Sequence, residues 1–333
     1  MPQHKISDIK VGIIGAGLMG RWHAHASNRL DARLVAITDQ DPIAARSLSK
    51  RFQKASTYPD ITRLLETSSI DVLHICTPPA SHTDLIYRAL NSGIHVLVEK
   101  PVTPTATETE KLLSLAEQQG VILCPVHQFV FQRGVVDALH ALAGLGEVLR
   151  VSFRTHSAGA EGMDQKMADG VIADILPHPL SVLQVLFPGC LARSSDWQPI
   201  RVRTGELQLT GKIDGMGINI DISMNARPTR CEMDVACSRG RIYLNFFHGY
   251  SVVEKGTVSR WQKVIQPLRY SSKEWIVATG NLMTRLINNE PAYPGLRTLI
   301  GEFYQSIQEG SESPVSPGDV QELAELRDRL IDR

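Results

Sequence analysis

The first 125 residues alternate short β-branched runs with segments in which apolar residues recur at helical spacing. Strands that alternate with helices in this way form parallel β–α–β crossovers, and such sheets are covered by helices on both faces. The strands are predicted at Lys10–Ile14, Arg33–Thr38, Asp71–Cys76, His95–Val98 and Val121–Pro125, and the helices at Leu18–Leu30, Ile43–Phe52, Thr83–Asn91 and Thr105–Gln119. The pattern predicts an α/β domain with a doubly wound parallel sheet over residues 1–125.

The pattern changes after Val126, where several strand-like runs follow one another with a single predicted helix near Ser181–Phe187 among them. Further strands are predicted at Glu147–Thr155, Arg201–Leu209, Gly217–Met224, Arg230–Ala236, Arg241–Phe247 and Ser251–Glu254, and helices at Trp275–Asn288, Leu296–Glu309 and Pro317–Ile331. The Asp-Gly pair within Lys212–Gly215 predicts a hairpin turn. Residues 126–333 are therefore expected to form an α+β domain on a mostly antiparallel sheet, whose C-terminal helices could pack back on the first domain.

Composition excludes several classes of protein. The 333 residues are 43% hydrophobic and carry 35 Lys and Arg against 35 Asp and Glu, which argues against disordered, fibrous and membrane-bundle proteins. Zero net charge also argues against nucleic-acid and membrane-surface partners. No signal peptide or membrane span is apparent, and no metal site is expected. The odd number of dispersed cysteines is typical of free, buried thiols in a cytoplasmic protein. The cysteines are Cys76, Cys124, Cys190, Cys231 and Cys237.

A glycine-rich motif, Gly15-Ala16-Gly17-Leu18-Met19-Gly20, follows the first strand and opens the first helix. In dinucleotide-binding folds the first glycine makes the turn, the second lets the backbone approach the pyrophosphate, and the third lets the helix pack closely. The helix N-terminus then offers N–H groups to the phosphates. The alternative is an ordinary tight turn without a ligand.

Asp39 ends the second strand 19 residues after Gly20, where the dinucleotide fold places the acid that binds the adenosine ribose. Its carboxylate can accept hydrogen bonds from both ribose hydroxyls and would repel a 2′-phosphate. NAD is therefore expected rather than NADP. The alternative is that Asp39 only caps the next helix.

The segment Val98-Glu99-Lys100-Pro101 lies at the carboxyl end of a predicted parallel strand, where open α/β sheets bind ligands. A lysine at this position could donate to a substrate oxygen. The alternative is a solvated surface pair of Glu99 and Lys100.

The segment Asp174-Ile175-Leu176-Pro177-His178-Pro179 places Asp174 and His178 four residues apart, on one face if the segment is helical. The two prolines fit only the first turn of a helix. An imidazole titrates near neutral pH and suits proton transfer. The alternative is a histidine that only packs.

Together these motifs resemble the Gfo/Idh/MocA family, which includes glucose–fructose oxidoreductase and inositol dehydrogenase. The resemblance covers nearly the whole chain, and its most specific element is the Glu-Lys-Pro stretch. It also includes Thr77-Pro78-Pro79 with His82, the run Gly93–Pro101, Gln132-Arg133, and Gly144–Val148. The resemblance implies a Rossmann domain and a second domain whose open sheet often forms homodimers or homotetramers.

The resemblance also implies roles for individual residues. Lys100 would hold the reacting hydroxyl or carbonyl, His178 would move the proton, and Asp174 would orient that pair. Thr77 and Pro78 would line the nicotinamide side of the cofactor, Glu99 would lie near its ribose, and His82 and Lys100 would also contact the cofactor.

Three features depart from the family pattern and bear on how the backbone orients His178. Leu176 replaces a usual glycine and Ser181 a usual aspartate, and prolines flank the histidine. Substrate selection is expected from the second domain. The candidates are Gln128, Arg133, Arg154, His156 and Lys166.

The leading hypothesis is an NAD-dependent dehydrogenase or reductase that acts on a secondary alcohol or ketone of a sugar, sugar derivative or cyclitol. One alternative is a glycosidase that retains NAD and oxidises its substrate transiently. Another is a non-catalytic dinucleotide sensor. Retention of Lys100, Asp174 and His178 together argues against the sensor.

Overall fold

The computed structural model describes residues 6–52, 55–159, 162–256 and 260–331. The chain divides into two compact units. The first unit comprises Met1–His127 and Leu296–Glu325, and the second comprises Gln128–Gly295 and Leu326–Arg333. The first unit thus contains a C-terminal segment in addition to the residues 1–125 predicted for it.

The first unit contains a six-stranded sheet in which every strand pair is parallel. Its strands are β1 (Lys10–Ile14), β2 (Arg33–Thr38), β3 (Ser56–Tyr58), β4 (Val72–Ile75), β5 (His95–Val98) and β6 (Leu123–Pro125), in the order β3-β2-β1-β4-β5-β6. The order reverses beside β1, which is where such sheets open a ligand-binding crevice at the carboxyl ends of their strands.

The second unit contains a seven-stranded sheet in which only β7 and β10 pair in parallel. Its strands are β7 (Val148–His156), β8 (Ser194–Ile200), β9 (Glu206–Ile213), β10 (Met216–Ser223), β11 (Arg230–Cys237), β12 (Gly240–Asn245) and β13 (Tyr250–Lys255), in the order β13-β12-β11-β7-β10-β9-β8. The predicted fold class, a parallel Rossmann sheet followed by a mostly antiparallel sheet, is confirmed.

Eleven α-helices occur among the described residues. They are α1 (Leu18–Arg29), α2 (Pro42–Arg51), α3 (Ile61–Thr67), α4 (His82–Asn91), α5 (Ala106–Gln119), α6 (Arg133–Leu142), α7 (Gln165–Ile175), α8 (Pro177–Leu186), α9 (Arg260–Ile287), α10 (Leu296–Glu309) and α11 (Pro317–Ile331). None of the described helices is both long and apolar enough to cross a bilayer.

Local sequence signals explain most of these boundaries. The predicted turn at Asp214 and Gly215 is present, with φ values of 48° and 85° that match the right-handed twist of the β9–β10 hairpin. Thr105 caps α5 with its side-chain oxygen, and Gly120 ends that helix in the left-handed region.

Several elements differ from the sequence expectation. The predicted strand Arg201–Leu209 is wrong over its first half, because pairing begins only at Glu206, where Leu207 and Leu209 alternate into the core. The strands β3 and β8 and the helices α3, α6 and α7 were not predicted. Helix α9 begins at Arg260, well before the predicted start at Trp275, and contains Pro267.

Candidate active site

The glycine turn after β1 leaves no room for side chains at two of its three glycines. Gly15 has a φ of 94°, and a Cβ there would lie 2.6 Å from the carbonyl oxygen of Cys76. A Cβ on Gly20 would lie 1.8 Å from the carbonyl oxygen of Gly15. These glycines therefore let α1 begin directly at the edge of the sheet.

Gly17 differs, because a Cβ there would meet no described protein atom within 4 Å. Gly17 is the N-cap residue of α1 and makes no side-chain capping bond, and the first N–H groups of a helix have no intrahelical partner. Packing inside the protein thus gives no reason for glycine, whereas a phosphate approaching the helix N-terminus does. The turn fits the pyrophosphate of a dinucleotide.

Asp39 is held against this turn through both carboxylate oxygens. Oδ2 accepts a hydrogen bond of 2.6 Å from the Ala16 N–H, and Oδ1 accepts one of 2.7 Å from the Asp41 N–H. The cap of α2 is Asp41, whose side chain accepts from the Ile43 N–H. Asp39 therefore does not serve as the helix cap, which was the alternative interpretation.

A cleft of about 560 Å³ opens along the carboxyl ends of β1, β2 and β4 in the first unit. Its lining contains two carboxylates, Asp39 and Asp60, and no Lys or Arg among the described residues. The other lining residues are Ile14, Gly15, Gly17, Thr38, Gln40, Pro59, Ile61, Cys76, Thr77, Pro78, Ala80, Ser81 and Leu85. A second phosphate on the ribose would meet negative charge here.

His82 supports the loop at Thr77 and Pro78. Its ring is buried, and its two nitrogens lie 2.9 Å from the carbonyl oxygens of Thr77 and Pro101. The side chain thus joins the loops that follow β4 and β5. Through these contacts His82 positions both loops, and its cofactor contact stays a prediction.

Four side chains with acidic, basic or thiol groups lie at the carboxyl ends of β4, β5 and β6. They are Cys76, Glu99, Lys100 and His127. Burial and the neighbouring Glu99 carboxylate raise the pKa of Cys76 well above its usual range, which keeps the thiol protonated. Burial and the charge of Lys100 lower the pKa of His127 to about 4. His127 is thus a neutral imidazole beside Lys100, and its Nδ1 has no hydrogen-bond partner in the described structure.

Glu99 also begins a buried chain of hydrogen bonds. His23 Nε2 lies 3.1 Å from Glu99 Oε1, and His23 Nδ1 lies 3.1 Å from His74 Nδ1. His74 Nε2 lies 3.0 Å from the Tyr304 hydroxyl, which lies 2.9 Å from Ser27 Oγ. All five residues are buried. We call this set the Glu99 relay.

With both imidazoles singly protonated, one arrangement of hydrogens satisfies every contact around a Glu99 carboxylate. Ser27 donates to Tyr304, and Tyr304 donates to His74 Nε2. His74 Nδ1–H then donates to His23 Nδ1, and His23 Nε2–H donates to Glu99. Burial and the neighbouring His23 lower the pKa of His74 well below its usual range, which agrees with the neutral ring that this arrangement requires.

In the second unit, His178 lies in the first turn of α8, with Pro177 at the start of the helix as predicted. Its ring stacks on Phe129 with centroids 4.2 Å apart and an interplanar angle of 19°. Phe129 in turn stacks on Phe246 at 5.0 Å. The stack fixes the plane of the imidazole. Asp174 lies in the last turn of α7, the preceding helix.

A pocket of about 690 Å³ in the second unit includes His178 in its lining. Aromatic and aliphatic side chains dominate this pocket, and Gln128 contributes a buried amide whose Oε1 has no partner in the described structure. The other lining residues are Phe129, Gln132, Phe246, Phe247, His248, Leu282, Arg285, Leu286, Asn289, Glu290, Pro291, Ala292, Tyr293 and Pro294.

The remaining candidate substrate residues lie outside this described lining. Arg133 is exposed and pairs with Asp137 on α6 at 2.9 Å. Arg154 pairs with Glu232 across the sheet at 3.0 Å. His156 ends β7, and Lys166 is exposed on α7. Of the five candidates, only Gln128 shares the pocket with His178.

Sequence reasoning did not identify the Glu99 relay, His127 or the aromatic stack. Two of these left a signal, because His74 interrupts an otherwise apolar buried strand and His127 follows directly after a strand's carboxyl end. Phe129 and Phe246 left no signal in the sequence, because nothing there distinguishes them from phenylalanines that only fill the core. No cluster of three or more potential metal ligands occurs among the described residues.

The family model GFO_IDH_MocA, described as an oxidoreductase family with an NAD-binding Rossmann fold, matches residues 9–127. A 1-carboxy-3-chloro-3,4-dihydroxycyclohexa-1,5-diene dehydrogenase from Comamonas testosteroni is 28% identical over 65% of this chain and 58% of that protein. An inositol 2-dehydrogenase from Rhizobium meliloti is 28% identical over 54% of each chain. The aligned regions therefore span little more than half the length of these relatives.

A solved structure extends the likeness to both units. The WlbA dehydrogenase from Bordetella pertussis, in complex with NADH and UDP-GlcNAcA, superposes with a TM-score of 0.72. It is 14% identical and the match covers 100% of this chain and 97% of that chain. At this identity the likeness shows a shared fold.

Removing the Tyr304 hydroxyl tests the Glu99 relay. Tyr304→Phe leaves His74 Nε2 and Ser27 Oγ without their buried partner, so it should lower the free energy of unfolding by about 2 kcal/mol. Tyr87→Phe, at an exposed position on α4, is the control and should change little. Equal urea midpoints for the two variants would contradict the relay.

The low pKa of His127 predicts a stability that falls with acid. Unfolded His127 takes up a proton near pH 6.5 and the folded residue only near pH 4, so stability is lost as pH falls through this window. Between pH 7.5 and 5 the loss from this group is about 2 kcal/mol. In urea unfolding, the free energy of unfolding of His127→Gln should fall by about 2 kcal/mol less over this pH range than that of the parent protein. His140→Gln, at an exposed position, should show the same fall as the parent protein.

Proposed function

We propose that the chain is a member of the Gfo/Idh/MocA oxidoreductase family, whose model matches residues 9–127, and that it is an NAD-dependent dehydrogenase or reductase. Its substrate is a secondary alcohol, or the corresponding ketone, of a sugar, sugar derivative or cyclitol. The observation that carries the proposal is Asp39, whose carboxylate is fixed to the Ala16 N–H at the glycine turn, in a cleft without cations among its described residues.

The cofactor would be held by the first unit. The turn Gly15–Gly20 and the N-terminus of α1 receive the pyrophosphate, and Asp39 accepts from the two hydroxyls of the adenosine ribose. Thr77 and Pro78 border the nicotinamide side, and Glu99 lies towards its ribose. When bound, the nicotinamide supplies the acceptor or donor of hydride.

Lys100 is the proposed group that holds the reacting oxygen. It is half-buried at the carboxyl end of β5, and an ammonium there stabilises the negative charge that develops on the oxygen as its proton leaves. His127 beside it is neutral and adds no competing positive charge. The preceding residue, Glu99, is fixed by the relay, which limits the movement of the Lys100 backbone.

His178 is the proposed proton carrier. Its ring lines the pocket of the second unit and is held in plane by Phe129, so its nitrogens have a defined direction. An imidazole can remove the hydroxyl proton in oxidation and return it in reduction. Asp174, one turn earlier in the chain, is proposed to orient this side chain.

The pocket supports a ring-shaped substrate. The exposed ring of Phe247 and the ring of Tyr293 suit the C–H surface of a saturated ring, and the buried Gln128 amide offers an acceptor to a hydroxyl. The named relatives act on cyclic diols and inositol, which is consistent with such a ring.

The proposal is tested first by cofactor binding. Purified protein, freed of any retained nucleotide, is titrated with NADH and NADPH while nicotinamide fluorescence is recorded. Selective NADH binding followed by NAD reduction with a cyclitol or sugar supports the proposal. Binding of neither nucleotide, or release of a leaving group without net NADH, overturns it.

Asp39→Asn tests the choice of nucleotide. The amide keeps one oxygen for the Ala16 N–H but loses the charge that repels a 2′-phosphate, so the preference for NADH over NADPH should fall about tenfold. Asp41→Asn removes a charge two residues away while keeping a helix cap, and should leave the ratio unchanged. A ratio unaffected by Asp39→Asn would exclude the ribose role.

Lys100→Ala and His178→Asn test the chemical roles separately. Each should lower kcat by about a hundredfold or more, because each removes a group that acts on the reacting oxygen or its proton. NADH affinity should stay within a few-fold. Lys111→Ala, on α5, and His140→Asn, at an exposed position on α6 outside the pocket, are the matched controls. A variant that retains full turnover removes its residue from the mechanism.

A further inference from the structure

One member of the Glu99 relay can be reached from outside the protein. Ser27, His23, His74 and Tyr304 have no accessible surface, whereas 8% of the Glu99 surface is accessible. A ligand can therefore engage the relay only through the Glu99 carboxylate. The far end of the relay, at Ser27, has no access through which a proton could reach water. The relay is thus a fixed hydrogen-bonded support for Glu99 and not a path for protons.

Glu99 lies beside the cleft of the first unit. Its N–H donates to the Ile75 carbonyl oxygen at 3.0 Å, which places it next to Cys76, a residue of the cleft lining. Strands β1 and β4 separate Glu99, which follows β5, from Asp39, which follows β2. Three strand spacings amount to about 14 Å. The two carboxylates therefore lie on opposite sides of the glycine turn after β1, an arrangement that suits the two riboses of a dinucleotide.

The contact between the two imidazoles gives the relay a direction. Their Nδ1 atoms are 3.1 Å apart, so one of them must donate a hydrogen bond and the other must accept it. A neutral His23 that donates from Nε2 to the Glu99 carboxylate carries no proton on Nδ1. His74 must then donate from Nδ1 and accept at Nε2. In this direction Glu99 is an ionised acceptor.

The opposite direction needs a protonated Glu99. His23 would donate from Nδ1 to His74, and its Nε2 lone pair, which faces Glu99, could be satisfied only by a carboxylic acid. Because Glu99 is the one relay member with access to water, a charge there costs less desolvation than a charge elsewhere in the relay. The first direction, with an ionised Glu99, is therefore favoured.

Tyr304 completes the relay at the end remote from the cleft. His74 Nε2 is buried, and the Tyr304 hydroxyl is its partner at 3.0 Å. Burial raises the pKa of Tyr304, so the phenol keeps the proton that it donates. Without this donor the lone pair of His74 Nε2 would have no partner, which would weaken the preference for a proton on Nδ1. The tautomers of both histidines thus depend on a hydroxyl from α10.

We propose that His23, His74 and Tyr304 are positioning residues for the nicotinamide half of the cofactor. They engage Oε1 of Glu99 and keep the group an ionised acceptor, so that Oε2 accepts from the hydroxyls of the nicotinamide ribose. The three residues are fully buried and act only through Glu99. This inference rests on the proposed function, because it takes the ligand of the cleft to be NAD.

Calorimetric titration with NADH and with ADP tests the inference on the full-length protein. ADP has the adenosine ribose and the pyrophosphate of NAD but lacks the nicotinamide ribose. His23→Phe keeps an aromatic ring and removes the hydrogen bond to Glu99, so it should weaken NADH binding at least about tenfold. The affinity for ADP should stay within a few-fold of the parent value, since Asp39 and the glycine turn are unchanged. A merely structural defect would weaken the binding of both ligands alike.

Three further variants separate positioning from packing. His23→Gln carries an amide donor for Glu99 and an acceptor for His74, so it should recover most of the NADH affinity that His23→Phe loses. His25→Phe makes the same substitution at a half-buried position of α1 outside the relay, and it should bind both ligands as the parent does. Tyr304→Phe should weaken NADH binding by a smaller factor than His23→Phe, because His74 can still donate to His23.

The nitrogen resonances of the histidine rings test the direction of the relay. In protein that contains isotope-labelled histidine, at neutral pH, His23 should carry its proton on Nε2 and His74 on Nδ1. The two signals are assigned by their loss in His23→Gln and in His74→Gln.

Three outcomes would overturn the inference. His23→Phe could bind NADH as tightly as the parent protein does, or it could lose affinity for NADH and ADP to the same extent. The third outcome is a His74 ring that carries its proton on Nε2 in the parent protein. A parent protein that binds neither nucleotide would instead overturn the proposed function, and this inference with it.

Discussion

The close approach of backbone to backbone at Gly15 is the constraint on which the first unit's cleft depends. Because Gly15 carries no side chain, its turn can pass against the Cys76 carbonyl and receive the start of α1 at Gly20. The same turn directs the Ala16 N–H at Asp39 and thereby fixes the end of β2. One steric condition thus sets the position of the helix N-terminus, of the acidic residue and of the cleft between them.

A second constraint is that polar groups buried behind this cleft must be satisfied. His23 and His74 have no access to water, and their hydrogen bonds are completed only by Glu99 at one end and Tyr304 at the other. Tyr304 comes from α10, far along the chain. This requirement gives a physical reason why residues 296–325 belong to the first unit and links the stability of that unit to the position of Glu99.

In the second unit, aromatic stacking takes the place that the buried hydrogen-bond chain has in the first unit. The pocket of this unit contains stacked rings, and two of the predicted substrate residues, Arg133 and Arg154, form ion pairs on α6 and on the sheet. Helix α9 borders the same pocket with an apolar side that the protein itself leaves uncovered. The described pocket of this unit is therefore lined more by apolar surface than by charged side chains.

The sequence by itself determined the parallel sheet, the glycine turn, Asp39 at the end of β2, the Asp214–Gly215 hairpin and His178 in a first helical turn, because each follows from local spacing, backbone preference or proline geometry. Only the tertiary structure decided the Glu99 relay, the stacking of Phe129 on His178 and which residues of α9 contact the rest of the second unit. These features join residues distant in the sequence, or depend on which side of a helix meets the protein, and local periodicity carries no information about either.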